Sequence, residues 1–263
     1  MNKLKYIFLP FIIFLLSNSA YAASPLKQFE ITRPFGLMEI GGIDVSITNS
    51  SIMMVAILII LNIFLILSTK KKAIIPNRLQ SIAEMSYEMI YNTTKDNLGK
   101  NGAQFFPLIY SLFMFILLCN MLGLIPYSFT VTSHIIITFA IAFGIFMFAT
   151  ILGFILHGFK YLRLFLPEGV PIFLAPLLIP IEIVSYISRP ISLAVRLAAN
   201  MMAGHTMIKV FAGFVVALGI FGVAPFIFIV LLYILETLIA FLQAYVFAVL
   251  TCLYLSDSFH PGH

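Results

Sequence analysis

From residue 172 to residue 218 the chain is apolar with few breaks, and after a short interruption from Gly219 to Pro225 it is apolar again from 226 to 256. As single helices at ~1.5 Å per residue, these stretches would reach about 70 Å and about 45 Å. The hydrocarbon core of a bilayer is only ~30 Å thick. Either the first stretch crosses twice, or both lie steeply inclined. Pro176, Pro180 and Pro190 offer places to bend. Two upright crossings would have to turn near Ser185 to Pro190, where the sequence reads Ser-Tyr-Ile-Ser-Arg-Pro and not as a polar loop. These residues alone leave both arrangements open.

The rest of the chain points to the same solvent. Hydrophobic residues make up 62% and charged residues 10%, against ~45–50% and ~25% in soluble domains. One soluble core cannot absorb that excess, so much of it faces lipid. Ionisable side chains then become the informative minority, since each costs roughly 2.5–3.5 kcal/mol or more deep in a bilayer. The net charge of +5 is not a nucleic-acid footprint. Its densest cluster, Lys70, Lys71 and Lys72 with Arg78 beyond, directly follows an apolar span, as cytoplasmic-side charges do. Cys119 and Cys252 sit in apolar runs without disulfide or metal spacing and are expected to pack. No phosphate-binding glycine loop, metal-ligand spacing or nucleophile arrangement is present, so neither cofactor nor metal is expected.

Lys3 and Lys5, the apolar stretch from Tyr6 to Leu16 and Ala20-Tyr21-Ala22 read as a cleavable leader over residues 1–23, the alternative being an uncleaved anchor helix, short for a span and broken by Pro10. Its removal leaves the mature N-terminus on the outer face. Residues 24–49, with Pro25, Pro34 and Gly41-Gly42, read as an outer segment of little regular structure. Residues 50–68 form the first span, interrupted only by Asn62. Residues 76–100 are too polar to span. Leu79, Ile82, Ala83, Met85, Met89 and Ile90 mix with Glu84, Glu88 and Lys95, which suits an amphipathic helix on the inner surface or against partners, opened by Pro76. Residues 104–157 hold two spans, 104–125 with Pro107 in its first turn and 135–157. Lys160 and Arg163 then return the chain to the inner side.

In the last third, Arg196 lies among Ala194, Ala198, Ala199, Ala203 and Gly204, small residues that let another helix approach closely. Arginine keeps its charge at any relevant pH. It therefore acts as a fixed electrostatic element facing an acid, either in a partner or in a structural pair. His205 and Glu236 can exchange protons. Nine residues at ~100° each put His205 about half a turn from Arg196. Gln243 follows Glu236 by seven residues and shares its face about 10 Å along, which suggests a wetted stripe. Asn200 and Gln243 equally suit interhelical hydrogen bonds, and His205 and Glu236 equally suit a packed core. Glu182, Arg189 and Arg196 recur by sevens, so Glu182 either lines a second polar entry or pairs with Arg189. Lys160 and Lys209 fit snorkelling residues, and His134 and His157 fit solvated span ends.

Ser192-Leu-Ala-Val-Arg196-Leu-Ala-Ala-Asn200-Met-Met-Ala-Gly-His205 closely resembles the core motif of F-type ATP synthase subunit a. Glu236-Thr-Leu-Ile-Ala-Phe-Leu-Gln243 is similar to the matching part of that family's last helix. Segments 125–134, 166–171 and 24–30 also resemble family sequences, and the resemblance covers nearly all of residues 24–260. It implies an all-α integral membrane protein of about five membrane helices plus one inner-surface amphipathic helix, the last two long and strongly tilted as a hairpin. It implies a proton-translocating stator subunit, not catalytic alone, beside a c-subunit ring, with peripheral-stalk and other membrane-sector partners. By that resemblance Arg196 faces the ring and blocks leakage between two offset half-channels. His205, Asn200, Glu236 and Gln243 would serve the outer one, and Glu182, Ser192 and Asp257 the inner one. The setting would be an energy-transducing inner membrane, mitochondrial or bacterial, with the C-terminus inside. A secondary ion-coupled transporter would need a substrate pocket and commonly a repeated half, and neither is legible. A purely structural subunit leaves the ionisable residues of the last third without a task.

Overall fold

The computed structural model describes residues 29–34, 36, 39–40, 43–44, 46–70, 75–99, 102–125, 128–165 and 172–259. The expected leader with its cleavage site, and residues 166–171, lie outside the described residues. Among the described residues six helices dominate: α1 Asn49–Lys70, α2 Arg78–Leu98, α3 Gly102–Gly123, α4 Ile135–His157, α5 Ala175–Leu218 and α6 Val223–Phe259. Short 3-10 turns fill Val131–Ser133, Gly158–Phe165, Ile172–Leu174 and Gly219–Gly222. The segment expected to lack regular structure contains a two-residue antiparallel ladder, Glu39 opposite Asp44 and Ile40 opposite Ile43. In the sequence, Gly41-Gly42 between two short runs is a hairpin signal, which the mixed polarity around it obscured.

Among the described residues four segments are long and apolar enough to cross a membrane: Asn49–Lys70, Gly102–Gly123, Ile135–Leu162 and Ala175–Phe259, the last holding both α5 and α6. α1 exposes Val55, Leu58, Ile59, Ile63 and Ile66 while burying Ile57 and Leu61, the surface of a helix bordered mostly by lipid. α4 spans the same residues, 135–157, as the third expected span. α2 starts after Asn77, which holds an extended cap conformation. Pro76 therefore precedes the cap and does not occupy the first helical position. α2 buries Ile90, Thr94 and Leu98 and exposes Glu84, Glu88 and Lys95, so this polar helix joins the bundle by one stripe. α3 begins at Gly102, earlier than expected. A Cβ there would lie 3.0 Å from the Thr94 carbonyl oxygen, so glycine permits the close α2–α3 turn. Pro107 is thus beyond the first turn, and its ring nitrogen leaves the Ala103 carbonyl without a helical donor.

The two arrangements left open for the last third are resolved by α5. It is a single helix through Pro180 and Pro190, with no reversal near Ser185–Pro190. Its 44 residues and the 37 of α6 correspond to about 66 Å and about 55 Å. Helices of those lengths remain within a ~30 Å slab only if steeply inclined. Gly219, at φ +55°, reverses the chain between them, a left-handed conformation that glycine adopts without steric cost.

α6 is the axis of the bundle, packing against α2, α3, α4 and α5, while α1 rests on α2 and α3. The buried stripe of α5 is Tyr186, Pro190, Leu193, Ala194, Leu197, Ala198, Met201 and His205. That of α6 includes Glu236, Ala240, Gln243, Ala244, Phe247 and Ala248. Both follow the three- and four-residue steps of a helix face. Alanines in each stripe bring the backbones together, which matters because lipid removes the hydrophobic drive for helices to associate.

Candidate functional site

The α5 stripe divides the ionisable residues by face. Arg196 is exposed and has no hydrogen bond or ion pair among the described residues. His205 lies on the buried face with 8% exposure. The exposed stripe beside Arg196 carries Ser188, Ser192, Ala199 and Ala203. Small residues thus line the outer surface of a helix that also bears a guanidinium. Asn200 is half-buried at the border of the two faces.

Behind that helix a polar chamber forms around His205. Its Nε2 lies 3.2 Å from the Thr130 hydroxyl and 3.7 Å from Glu236 Oε1. Thr130 donates its hydroxyl hydrogen bond to the Gly123 carbonyl oxygen, so its oxygen is left to accept a hydrogen bond from Nε2–H. The imidazole therefore presents Nε2–H between a hydroxyl and a carboxylate. Glu236 is 5% exposed and Gln243 7%. Both carboxylate oxygens of Glu236 and the Gln243 Oε1 are buried without a hydrogen-bond partner. Buried polar atoms left unpaired in this way call for a specific reason, such as a functional role or a bridging water. Gly204 makes the niche for the carboxylate, since a Cβ there would sit 2.5 Å from Glu236 Oε1.

Asn120 completes the chamber and was not singled out in the sequence. It is fully buried, donates to the Ala240 carbonyl at 3.0 Å and accepts from the Thr132 hydroxyl at 2.8 Å. A carboxamide inside an apolar span was the available signal. It ties α3, α6 and the 131–133 turn together. Asn120→Leu leaves the buried Thr132 hydroxyl without its acceptor and removes the tie to the Ala240 carbonyl, and is expected to lower stability by about 1–3 kcal/mol. Thermal unfolding of the purified complex in detergent measures this.

A second polar cluster lies toward the start of α5. Arg189 Nη1 donates to Asp257 Oδ2 at 3.1 Å, and its guanidinium carbon is 5.9 Å from the Tyr186 ring centroid. Of the two readings of Glu182, pairing with Arg189 is therefore not realised. Asp257 takes that role, because α6 returns antiparallel along α5. Glu182 is half-buried with no hydrogen bond or ion pair among the described residues. Beside this pair, the Tyr186 hydroxyl lies 2.9 Å from that of Tyr161 and 3.0 Å from that of Thr150. Ser192 is exposed on the Arg196 side.

Two of the expected solvated ends are more enclosed than their positions suggested. His157 Nε2 lies 3.2 Å from the Phe259 carbonyl oxygen. His134 stacks on Phe129 at 5.1 Å, and burial holds its pKa below the ordinary histidine value. Lys209 Nζ lies 5.9 Å from the Phe29 ring centroid, and Cys119 and Cys252 are buried free thiols.

Along α5 the order is Arg189, Arg196, His205. By helical rise Arg196 lies about 10 Å from the first and about 14 Å from the last. Fold and site together define a polytopic all-α membrane protein with two polar clusters offset along a long helix and one exposed arginine between them. Residues 50–256 match the family model described as ATP synthase A chain. ATP synthase subunit a of Chelativorans sp. (strain BNC1) is 53% identical over 249 residues, covering 92% of this chain and all of the relative. That of Rhizobium etli (strain ATCC 51251 / DSM 11541 / JCM 21823 / NBRC 15573 / CFN 42) is 55% identical over 245 residues, 90% of this chain and 98% of the relative. That of Rhodospirillum rubrum is 53% identical over 236 residues, 89% and 98%. The chain belongs to the ATP synthase subunit a family and is a membrane-sector component of an ATP synthase, not a catalyst by itself.

Proposed function

We propose that this chain carries protons between two offset half-channels and a ring of c subunits, with Arg196 as the barrier between them. The observation that carries the reading is the placement of Arg196. A charged side chain without a partner among the described residues stands among small residues on the exposed face of a membrane helix. Facing lipid, it would cost roughly 2.5–3.5 kcal/mol or more. Facing a carboxylate on a partner helix, it gains an ion pair, and the small residues allow that helix to approach. The outer half-channel runs by Gln243, Glu236, His205 and Asn200. The inner one runs by Glu182, Asp257 and Ser192. A proton entering from the outer side passes to a ring carboxylate, travels with the ring and leaves by the inner cluster. The shortcut across Arg196 is closed, because a carboxylate beside the guanidinium is held ionised. The mature N-terminus lies outside and the C-terminus inside an energy-transducing membrane. Peripheral-stalk and other membrane-sector subunits are the remaining partners.

Cysteine cross-linking tests the facing. In the assembled complex, Ala199→Cys and Ala203→Cys are expected to cross-link to cysteines on the outer helix of the c subunit, and Ala198→Cys, on the buried face, is not. Cross-linking confined to Ala198→Cys would reverse the assignment. ATP-driven pumping is expected to proceed without sodium, and a sodium requirement would identify a different ion.

A further inference from the structure

His205 also meets a residue of the N-terminal segment, which nothing in the proton path described above uses. Phe29 is 9% exposed. Its ring meets that of His205 edge-on, 6.2 Å between centroids at 71°, and Lys209 lies over it. Geometry of this kind is specific, since an aromatic edge against a ring face restricts how the neighbour turns.

Phe29 precedes the described helices of the bundle, so another element has to hold it in place. Here Asn49, the first residue of α1, secures it. The Asn49 amide donates to the Glu30 carbonyl at 3.1 Å, and its Oδ1 accepts from the Thr32 backbone N–H at 3.2 Å. The Asn49 backbone N–H donates to the Thr32 carbonyl at 3.1 Å. Three hydrogen bonds therefore fix residues 30–32 immediately beyond Phe29. The same Oδ1 also accepts from the Ser50 backbone N–H at 3.0 Å, so Asn49 is itself held by the helix start.

We infer that Phe29 is a positioning residue for proton transfer, held by the Asn49 clasp, which keeps the His205 imidazole turned so that Nε2 stays between Thr130 and Glu236. The inference rests on His205 being a carrier in the outer half-channel. The charged and titratable groups facing His205 among the described residues are Glu236 from α6 and Lys209 from α5 itself. Without Phe29, the imidazole can rotate into the vacated space and water can reach it beside Lys209. Proton exchange with Glu236 then follows a different dependence on the pH of that side.

The experiment uses the assembled complex in membrane vesicles, with proton-driven ATP synthesis measured against the pH of the Phe29 side. Phe29→Ala and Asn49→Ala are both expected to slow synthesis several-fold and to move the half-maximal pH by about 0.5 unit or more, in the same direction for both. Phe29→Leu, which restores apolar bulk, is expected to return the profile toward that of the parent. His205→Ala is the control for the underlying reading. If it leaves synthesis at the parental rate, the outer-path assignment fails. If it stops synthesis while Phe29→Ala and Asn49→Ala only lower the amount of complex, with an unchanged profile, Phe29 is structural and the inference is overturned.

Discussion

Arg196→Ala is expected to reduce proton-driven ATP synthesis by about 10²-fold or more while the complex still assembles. The magnitude follows from charge. At an effective dielectric of ~20, a guanidinium ~4 Å from a carboxylate contributes about 4 kcal/mol, or about three pK units in that acid. Removing it lets one ring carboxyl opposite α5 take a proton from one half-channel and release it to the other. The proton then crosses without turning the ring, so the same variant is expected to make the membrane leaky to protons. Two assays check this: synthesis under an imposed gradient, and decay of that gradient without nucleotide. Synthesis at the parental rate would sink the barrier role. The stability argument keeps the result interpretable. Arg196 is exposed and pairs with nothing in the described part of its own chain, so its loss orphans no internal group, and the effect on folding is expected within ~0.5 kcal/mol. Arg189 offers the contrast, because its removal would strand Asp257 and mix a folding defect with any functional one.

Much of the framework was legible because helical periodicity and apolar length are local properties. The 135–157 span, the long apolar stretches, the separation of Arg196 from His205 and the shared stripe of Glu236 and Gln243 all follow from counting along one helix. What counting could not supply was the identity of whatever faces each stripe. Glu182 and Arg189 share a broad face of one helix, yet Asp257 reaches Arg189 only because the Gly219 reversal sets the register of α6 on α5. Thr130 and Asn120 enter the chamber through contacts 75 and 120 residues apart in sequence. Their side chains read locally as loop polarity and a single amide in a span. Gly204 read as a small residue admitting a partner helix, whereas its space is filled from within by Glu236. Pro180 and Pro190 also suggested bends, yet neither breaks α5.

Glu236→Gln is expected to lower proton-driven synthesis by about 10²-fold, within the range that a well-placed acid–base group contributes. The substitution keeps the shape of the side chain and removes only its ability to titrate. It also leaves the fold nearly undisturbed, since neither carboxylate oxygen is hydrogen-bonded and no partner loses a bond. A glutamate present for packing would tolerate the amide, and synthesis at the parental rate would support that role instead. Gly204→Ala approaches the same group from the opposite direction. It leaves Glu236 and His205 chemically intact but places a methyl 2.5 Å from Oε1, so the carboxylate has to swing out of its niche and away from the His205 Nε2, now 3.7 Å distant. Displacement of about 1 Å at a transfer site costs up to about 10²-fold, and a loss of about tenfold is expected, with normal assembly. The pair of variants separates chemistry from geometry. If Glu236→Gln stops synthesis and Gly204→Ala does not slow it, the carboxylate is needed but its seat against α5 is not. If both slow it, the proton passes where the glycine holds the acid beside the imidazole.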